Sequence, residues 1–360
     1  MTDHVTIIAE AGVNHDGSLA QARALVDAAA AAGADIVKFQ TYSADRIATR
    51  RVAKAAYQRE TTAAGESQHA MLKRLELDAA AHADLVGYCA ARGIEFLSTP
   101  FDHPSVDLLT GRHGLRRLKI SSGDLTNGPL LLHAARTGAA IILSTGMSTL
   151  GEIEAALGVL AYGFTAPTQG SPGEGAFADA YQSGEGQGML RRKVTLLHCT
   201  SEYPAPLATV NLRAMETLAG AFGLPVGYSD HTQGIAVPIA AAARGARVIE
   251  KHFTLDCKLP GPDHRASLEP NELANMVTAI RAVEAALGSP LKVPSEGERA
   301  TRAVGRKCLV AARSIRSGEA FTITNLDTKR AGGGVSAMRY WEALGRTAER
   351  DYAPDEPIVL

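Results

Sequence analysis

The fold is decided by the stretch at residues 224–252, which reads LPVGYSDHTQGIAVPIAAAARGARVIEKH. Residues 224–228 and 247–250 are short apolar runs typical of buried strands, and residues 235–243 between them predict a helix. Polar residues follow each run, up to His231 and His252. Because consecutive strands of a parallel α/β sheet end on one face, we expect both histidines on the face where such folds carry their chemistry.

The same alternation extends over about 290 residues. Six further strands are predicted at residues 5–9, 36–39, 95–98, 117–120, 141–144 and 194–198. Helices are predicted at residues 19–32, 79–92, 130–137, 150–162, 212–222 and 270–287. This pattern predicts a (β/α)8 TIM barrel, and a doubly wound open sheet is the alternative.

Two segments interrupt the alternation. Residues 44–76 are too long for a plain connection and contain a charged helical stretch, so we expect them to overhang the catalytic face. Residues 166–188 are rich in Gly, Ser, Gln and Glu, which predicts a mobile surface insertion without an assigned function.

The sequence pattern changes after Gly288. The domain prediction is a barrel over residues 1–288, a linker over 289–304 and a small β-rich domain over 305–360. A domain of about 55 residues is small for independent stability, so we expect it to dock onto another surface.

Composition limits the classes of partner. The chain has 360 residues, 46% of them hydrophobic, with a formal net charge of −1, which indicates neither a nucleic-acid nor a membrane partner. The first residues run straight into a strand and lack the features of a signal peptide. Four scattered cysteines without a Cys-x-x-Cys pair favour a reduced, cytoplasmic setting.

Polar side chains lie at or after the end of every predicted strand. They include Glu10, Lys38, Gln40, Thr99, Lys119, Ser122, Asp124, Ser144, Ser201, Tyr203 and Ser229, with Asp263 after the last strand. Hydroxyl and acidic residues at such turns usually cap the next helix. Lysines at strand ends need an anion, which is either a neighbouring acid such as Glu10 or Asp124, or a bound phosphate or carboxylate.

His231 and His252 are candidate metal ligands. Two imidazoles on neighbouring strand ends can share one divalent ion and leave its other positions open to water and substrate. The pair taken alone is equally compatible with ordinary polar residues at strand ends.

Eight segments, in this order along the chain, resemble the bacterial sialic acid synthases. More broadly they resemble the nonulosonate synthases, which condense phosphoenolpyruvate with an N-acylated hexosamine. The segments are IIAEAGVNHDG (7–17), VKFQT (37–41), STPFD (98–102), KISSGDLTN (119–127), LSTGM (143–147), HCTSEYP (198–204), GYSDHT (227–232) and EKHFT (250–254).

The resemblance implies a role for each polar residue. Glu10, Lys38 and Asp263 are expected to be catalytic, and His231 and His252 to bind a divalent metal, with Mn²⁺ favoured and Mg²⁺ or Co²⁺ as alternatives. Phosphoenolpyruvate is expected to contact Lys38, Gln40, Thr99, Lys119, Ser122, Ser144, Ser201 and Ser229. The sugar is expected to contact Asp124, Tyr203, Asp263 and Arg330.

The segment KRAGGGVS at residues 329–336 resembles the antifreeze-like (SAF) domain of that family. The resemblance implies a homodimer in which this domain crosses to the partner and delivers Arg330 to the partner's sugar site. Two residues depart from the family pattern: Asp124 stands where many relatives have Glu, and Ser201 where some have Asn.

The resemblance leaves the sugar open. The main reading is N-acetylneuraminate synthase, which uses an N-acetylmannosamine-type sugar. The alternative is N,N′-diacetyllegionaminate synthase, which uses 2,4-diacetamido-2,4,6-trideoxymannose. A different class of function is a non-catalytic ice- or sugar-binding protein, which the intact polar strand ends argue against.

Overall fold

The computed structural model describes residues 4–54, 58, 59, 62, 65–166 and 171–360. The chain divides into two compact units, Met1–Gly288 and Ser289–Leu360. The first unit contains eight parallel strands in the order β3-β2-β1-β8-β7-β6-β5-β4. The strands are β1 Thr6–Gly12, β2 Ile36–Thr41, β3 Glu95–Pro100, β4 Arg117–Ile120, β5 Ala140–Ser144, β6 Val194–Cys199, β7 Val226–Asp230 and β8 Val248–His252.

The sheet curls into a barrel. Its end strands β3 and β4 lie next to each other, and Glu95 of β3 forms an ion pair with Arg117 of β4 at 3.8 Å. In a doubly wound open sheet the two edge strands lie apart, so the contact between β3 and β4 excludes that alternative. The barrel prediction is therefore confirmed, and the open-sheet alternative is wrong.

Helices surround the strands. They are α1 Leu19–Ala31, α2 Ala44–Ile47, α3 Gln68–Leu75, α4 Ala79–Arg92, α5 His103–Asp107, α6 Gly128–Arg136, α7 Leu150–Thr165, α8 Glu174–Gln182, α9 Gly184–Lys193, α10 Ala214–Phe222, α11 Ala236–Ala243 and α12 Pro270–Leu287. Side-chain caps fix several starts; Asp78, for example, accepts a hydrogen bond from the backbone N–H of Ala81 at the start of α4. None of the helices within the described ranges has both the length and the apolar character needed to cross a bilayer.

Two apolar cores hold the barrel together. The larger one lies between the strands and the helices and includes Leu25, Phe39, Leu85 and Ile249. The smaller one fills the barrel interior and consists of Ile8, Ile36, Leu97, Ile142, Leu197 and Val248. Because side chains alternate along a strand, six of the eight strands supply one face to each core, and β4 and β7 contribute apolar side chains to the larger core alone.

The insertion at residues 166–188 is largely helical, in contrast to the prediction of a mobile loop. Helix α8 packs on α7, with Phe177 at 5.3 Å from Tyr162 between ring centroids. Ser183 then caps α9 through its side chain. Residues 167–170 of this segment lie outside the described residues. Apart from those residues, the surface insertion is an additional helical layer.

The predicted linker also contains regular structure. Helix α13 spans Glu296–Gly305, and its start carries a capping box in which the side chains of Ser295 and Glu298 bond each other's backbone N–H groups. The second half of the predicted linker at residues 289–304 is therefore helical.

The rest of the second unit is β-rich. Strands β9 Lys307–Ala311 and β10 Leu326–Arg330 pair antiparallel, and α14 Tyr340–Ala343 follows. Its small core contains Leu309, Ile315, Phe321, Tyr352 and Ile358. All four cysteines of the chain are free thiols.

Candidate active site

The barrel changes from apolar to polar along its axis. The interior core residues Ile8, Ile36, Leu97, Ile142, Leu197 and Val248 form one layer. Two residues further along the same strands stand Glu10, Lys38, Thr99, Ser144, Cys199 and Glu250, all at or near zero exposure. The two-residue period of a strand points both layers inward. The polar layer therefore lies directly above an apolar floor.

A cavity of about 670 Å³ opens above this polar layer. It is lined by fourteen of the fifteen residues that the sequence marks as site residues: Glu10, Lys38, Gln40, Thr99, Lys119, Ser122, Asp124, Ser144, Ser201, Tyr203, Ser229, His231, His252 and Asp263. The fifteenth, Arg330, is an exposed residue at the end of β10 in the second unit. The segment at residues 44–76, which was expected to overhang this face, also contributes to the cavity lining, through residues that include Arg46, Gln68 and Met71.

Four buried charges form the centre of the cavity. Lys38 Nζ lies 2.6 Å from Glu10 Oε2 and 3.6 Å from Glu250 Oε2. Lys119 Nζ lies 3.5 Å from Glu250 Oε1. Ser229 Oγ donates a hydrogen bond to Glu250 at 2.8 Å. Both lysines therefore have carboxylate partners, Glu10 and Glu250, and also face the cavity. The predicted phosphate or carboxylate ligand stays a prediction.

The two carboxyl groups, Glu10 and Glu250, differ in pKa. Burial raises the pKa of Glu10 to about 7, against the opposing charge of Lys38. Burial also acts to raise the pKa of Glu250, but Lys119, Lys38 and the Ser229 hydrogen bond outweigh it and hold that pKa low. Glu250 is thus a fixed anion, whereas Glu10 exchanges a proton near neutral pH. Protonated Glu10 leaves the cluster with one excess positive charge, which suits an anionic ligand.

Sequence reasoning missed Glu250 as a site residue. Its neighbour Lys251 points outward and pairs with Asp230 at 2.6 Å, both with fully buried side chains. The strand period separates the two roles: Glu250 and His252 face the cavity and Lys251 faces the helices. Applying the same alternation to residues 248–252 would have identified Glu250.

Small polar groups line the wall between β4, β5 and β6. The N–H of Gly146 donates to Ser122 Oγ at 2.9 Å, and Ser122 Oγ lies 3.1 Å from Cys199 Sγ. Ser144 Oγ is buried and has no hydrogen-bond partner among the described residues. Such a set of hydroxyl groups beside Lys119 suits a phosphate or carboxylate.

Replacement of Gly146 by Ala is expected to disrupt this wall. A Cβ there would overlap Ser201 Oγ and would lie 2.8 Å from Cys199 Sγ and 2.9 Å from Ser122 Oγ. Loss of one charge-assisted contact costs about 1.5–3 kcal/mol, so affinity for an anionic ligand should fall about 10- to 100-fold. The measurement is the dissociation constant of an anionic ligand such as inorganic phosphate, with Gly151→Ala as control, since a Cβ at Gly151 meets nothing within 4 Å. An unchanged constant in Gly146→Ala would contradict the wall's role.

The two histidines lie side by side, with ring centroids 5.5 Å apart. His231 Nδ1 bonds the Thr200 carbonyl at 2.6 Å, which leaves Nε2 free to accept. His252 Nδ1 is buried without a hydrogen-bond partner among the described residues. Burial lowers the pKa of both rings, that of His252 especially, so both are neutral as metal binding requires.

The pair fits a divalent ion with open coordination positions. Within the described ranges, no three His, Cys, Asp or Glu side chains form a metal-binding group. The histidine pair would supply two ligands to such an ion, and Asp263 Oδ2 lies 3.9 Å from His252 Nδ1. A divalent ion held by two protein ligands needs water or substrate oxygens to complete its shell.

Asp263 is positioned by the loop after β8. Ser267 Oγ donates to its carbonyl at 2.7 Å, and Asn14 Nδ2 donates to Ser267 Oγ at 2.9 Å. His264 links Thr254 and Asp16 at 2.7 and 3.3 Å. Burial raises the pKa of Asp263 to about 6, so this carboxyl also titrates close to neutrality.

Asp124 and Tyr203 both line the cavity. Asp124 accepts hydrogen bonds from Ser121 Oγ and Asn127 Nδ2, both at 3.0 Å, which leaves its carboxylate partly occupied. The Tyr203 ring packs against His231 with centroids 4.1 Å apart. Tyr203 therefore borders the histidine pair.

The protein is an eight-stranded α/β barrel with buried lysines and a histidine pair at the carboxyl-terminal ends of its strands. This is where barrel enzymes place their active sites. Residues 25–292 match the NeuB family and residues 306–360 match the SAF domain. The chain belongs to the NeuB family, as its sequence motifs indicate.

Three relatives illustrate the similarity. The chain is 49% identical to the N,N′-diacetyllegionaminic acid synthase of Campylobacter jejuni, over 98% of each chain. It is 45% identical to the enzyme of the same name from Legionella pneumophila, over 94% of this chain and 89% of that one. The crystal structure of an N-acetylneuraminic acid synthetase from Leptospira borgpetersenii superposes with a TM-score of 0.66 at 34% identity, over 83% of this chain and 90% of that one.

Proposed function

We propose that the protein is an N,N′-diacetyllegionaminic acid synthase. It condenses phosphoenolpyruvate with 2,4-diacetamido-2,4,6-trideoxymannose and water to give the nine-carbon acid and phosphate. The observation that carries the choice of sugar is the similarity to two enzymes of that name over nearly the whole chain. Of the two sugars left open by the motifs, these relatives favour the alternative over N-acetylmannosamine.

The central charges suit phosphoenolpyruvate. Lys38 and Lys119 lie in the buried polar layer and attract its carboxylate and phosphate, and the hydroxyls of Thr99, Ser122 and Ser144 donate to its oxygens. Ser229 already donates to Glu250, so its contact with phosphoenolpyruvate stays a prediction. Glu250 holds both ammonium groups in place through its ion pairs. Binding thus uses a cluster that is already formed before the ligand arrives.

Carbon–carbon bond formation comes first. The enol carbon C3 of phosphoenolpyruvate attacks the sugar aldehyde C1, and the aldehyde oxygen takes up a proton. Water then adds at the former C2 of phosphoenolpyruvate and loses a proton. The C–O bond breaks, phosphate leaves with the bonding electrons and the proton of the new hydroxyl, and C2 becomes a ketone. Both proton transfers need carboxyls that titrate near neutral pH, which Glu10 and Asp263 supply.

A divalent ion, with Mn²⁺ favoured, is proposed on His231 and His252. The chemistry that such an ion supplies is polarisation of the aldehyde oxygen. The neutral state of both rings and the free acceptor nitrogen of His231 support this assignment. Tyr203 restricts the orientation of His231 by ring packing.

The active unit is proposed to be a cytoplasmic homodimer in which the SAF domain supplies Arg330 to the partner's sugar site. The match of residues 306–360 to the SAF domain and the exposure of Arg330 support the proposal. The free thiols of all four cysteines accord with a reducing compartment.

The choice of sugar is tested by comparing kcat/KM for 2,4-diacetamido-2,4,6-trideoxymannose and for N-acetylmannosamine, each with phosphoenolpyruvate and metal. Phosphate release is the readout, and product mass identifies the acid. We expect the diacetamido sugar to be preferred. A higher kcat/KM with N-acetylmannosamine would establish the sialic acid reading instead, and phosphate release with neither sugar would overturn both.

A further inference from the structure

A small apolar cluster borders the charged cavity and is separate from both barrel cores. This rim cluster consists of Val13, Tyr42, Ile47, Met71, Leu72, Leu75 and Phe101. All of its members except Tyr42 line the cavity. Met71 and Leu75 are each only 1% exposed, so they are tightly packed parts of the cavity wall.

The rim cluster is held from several sides. Tyr42 Oη donates to the Leu72 carbonyl at 3.2 Å, and its ring meets Phe101 edge-on with centroids 6.0 Å apart. At Gly17, which has a φ of +76°, an added Cβ would overlap the Arg74 carbonyl, so the missing side chain lets α3 approach the loop after β1. The wall formed by α3 is thus fixed before any ligand binds.

The wall lies at the mouth, beyond the strand ends. The sugar must place its reacting C1 near the lysines and histidines on the polar layer, so the opposite end of its carbon chain, C6, extends toward the mouth. In 2,4-diacetamido-2,4,6-trideoxymannose C6 is a methyl group, and in N-acetylmannosamine it carries a hydroxyl. A methyl group gains by leaving water against apolar carbon, whereas a hydroxyl there loses its hydrogen bonds to water.

We propose that the rim cluster is the specificity-determining surface for C6 and selects 6-deoxy sugars over their 6-hydroxy counterparts. The inference rests on the proposed function and adds the residues that set its substrate preference. An apolar surface rejects an added hydroxyl by about 100-fold at most, so the expected preference in kcat/KM is about 10- to 100-fold.

The test uses two sugars that differ at C6 alone: 2,4-diacetamido-2,4,6-trideoxymannose and 2,4-diacetamido-2,4-dideoxymannose. Leu72→Gln places an amide in the half-buried part of the wall, and Met71→Gln places one in its buried part. Both should lower the 6-deoxy to 6-hydroxy ratio of kcat/KM at least fivefold, while the Michaelis constant for phosphoenolpyruvate stays near the wild-type value. Met71→Leu, which keeps the wall apolar, should retain the wild-type ratio even where its rate falls.

The control is Leu287→Gln at a leucine that is 54% exposed at the end of α12, outside the cavity. Thermal denaturation verifies that each variant is folded, and Leu72→Gln provides the ratio if Met71→Gln unfolds. A folded Leu72→Gln enzyme with the wild-type ratio overturns the inference while the proposed function stands. Failure of the wild-type enzyme to use either diacetamido sugar overturns the proposed function itself.

Discussion

Chelation of divalent metal is expected to abolish condensation, and Mn²⁺ should restore more activity than Mg²⁺. The reason is the donor set: two neutral imidazoles favour the later transition ions over Mg²⁺, which prefers oxygen ligands. An ion bound by two protein imidazoles alone would be held weakly, so a chelator should remove it readily. The measurement is phosphate release from chelated, metal-analysed enzyme before and after each ion is added back.

Variants localise the effect to the histidine pair. His231→Ala and His252→Ala should lose both activity and Mn²⁺ binding. His133→Ala is the matched control, since His133 pairs with Asp107 at 2.7 Å outside the cavity. Full activity in metal-free enzyme would overturn the metal proposal and leave the anion site unaffected.

Mixing two inactive variants, His231→Ala and Arg330→Ala, is expected to restore activity if subunits exchange. In a domain-swapped heterodimer, one active site receives both defects and the other receives neither. With random exchange about half the dimers are mixed, so recovery should approach about a quarter of the wild-type rate. The measurement is phosphate release before and after incubation under exchange conditions.

Exchange itself is followed with differently tagged subunits. If Arg330 instead serves its own barrel, every site in the mixture keeps one defect and activity stays lost. A mixture of His231→Ala and His252→Ala serves as the control, because these two residues belong to one barrel and a mixed dimer has no intact site. No recovery despite proven exchange would refute the swapped arginine while leaving the barrel chemistry intact.

The barrel could be predicted because its strands are short apolar runs at regular spacing. The main errors lie at strand ends: β2 and β3 run to Thr41 and Pro100, two residues past their predicted ends. Polar residues such as Gln40 and Thr99 end the apolar run but remain paired in the sheet. Their side chains point into the cavity, so polarity marks the site and not the end of the strand.

The insertion was harder to predict because its composition is polar. Helices α8 and α9 are stabilised by contacts such as that of Phe177 with Tyr162 of α7. No periodic pattern of apolar residues within the insertion indicates such contacts. Glu250 was missed for a related reason, since its partners Lys38 and Lys119 come from strands far away in the chain. These ion pairs form only when the barrel closes, and the local sequence pattern does not show which strands closure brings together.

The apolar layer beneath the charged centre has a kinetic consequence. Ile8, Leu97 and Leu197 fill the barrel below the lysines, so reagents reach the lysines from the mouth. Under the proposed function, we expect phosphoenolpyruvate to bind at these lysines before the sugar enters the cavity above it. We expect phosphate to leave after the nine-carbon acid, so that substrate binding and product release each follow a fixed order.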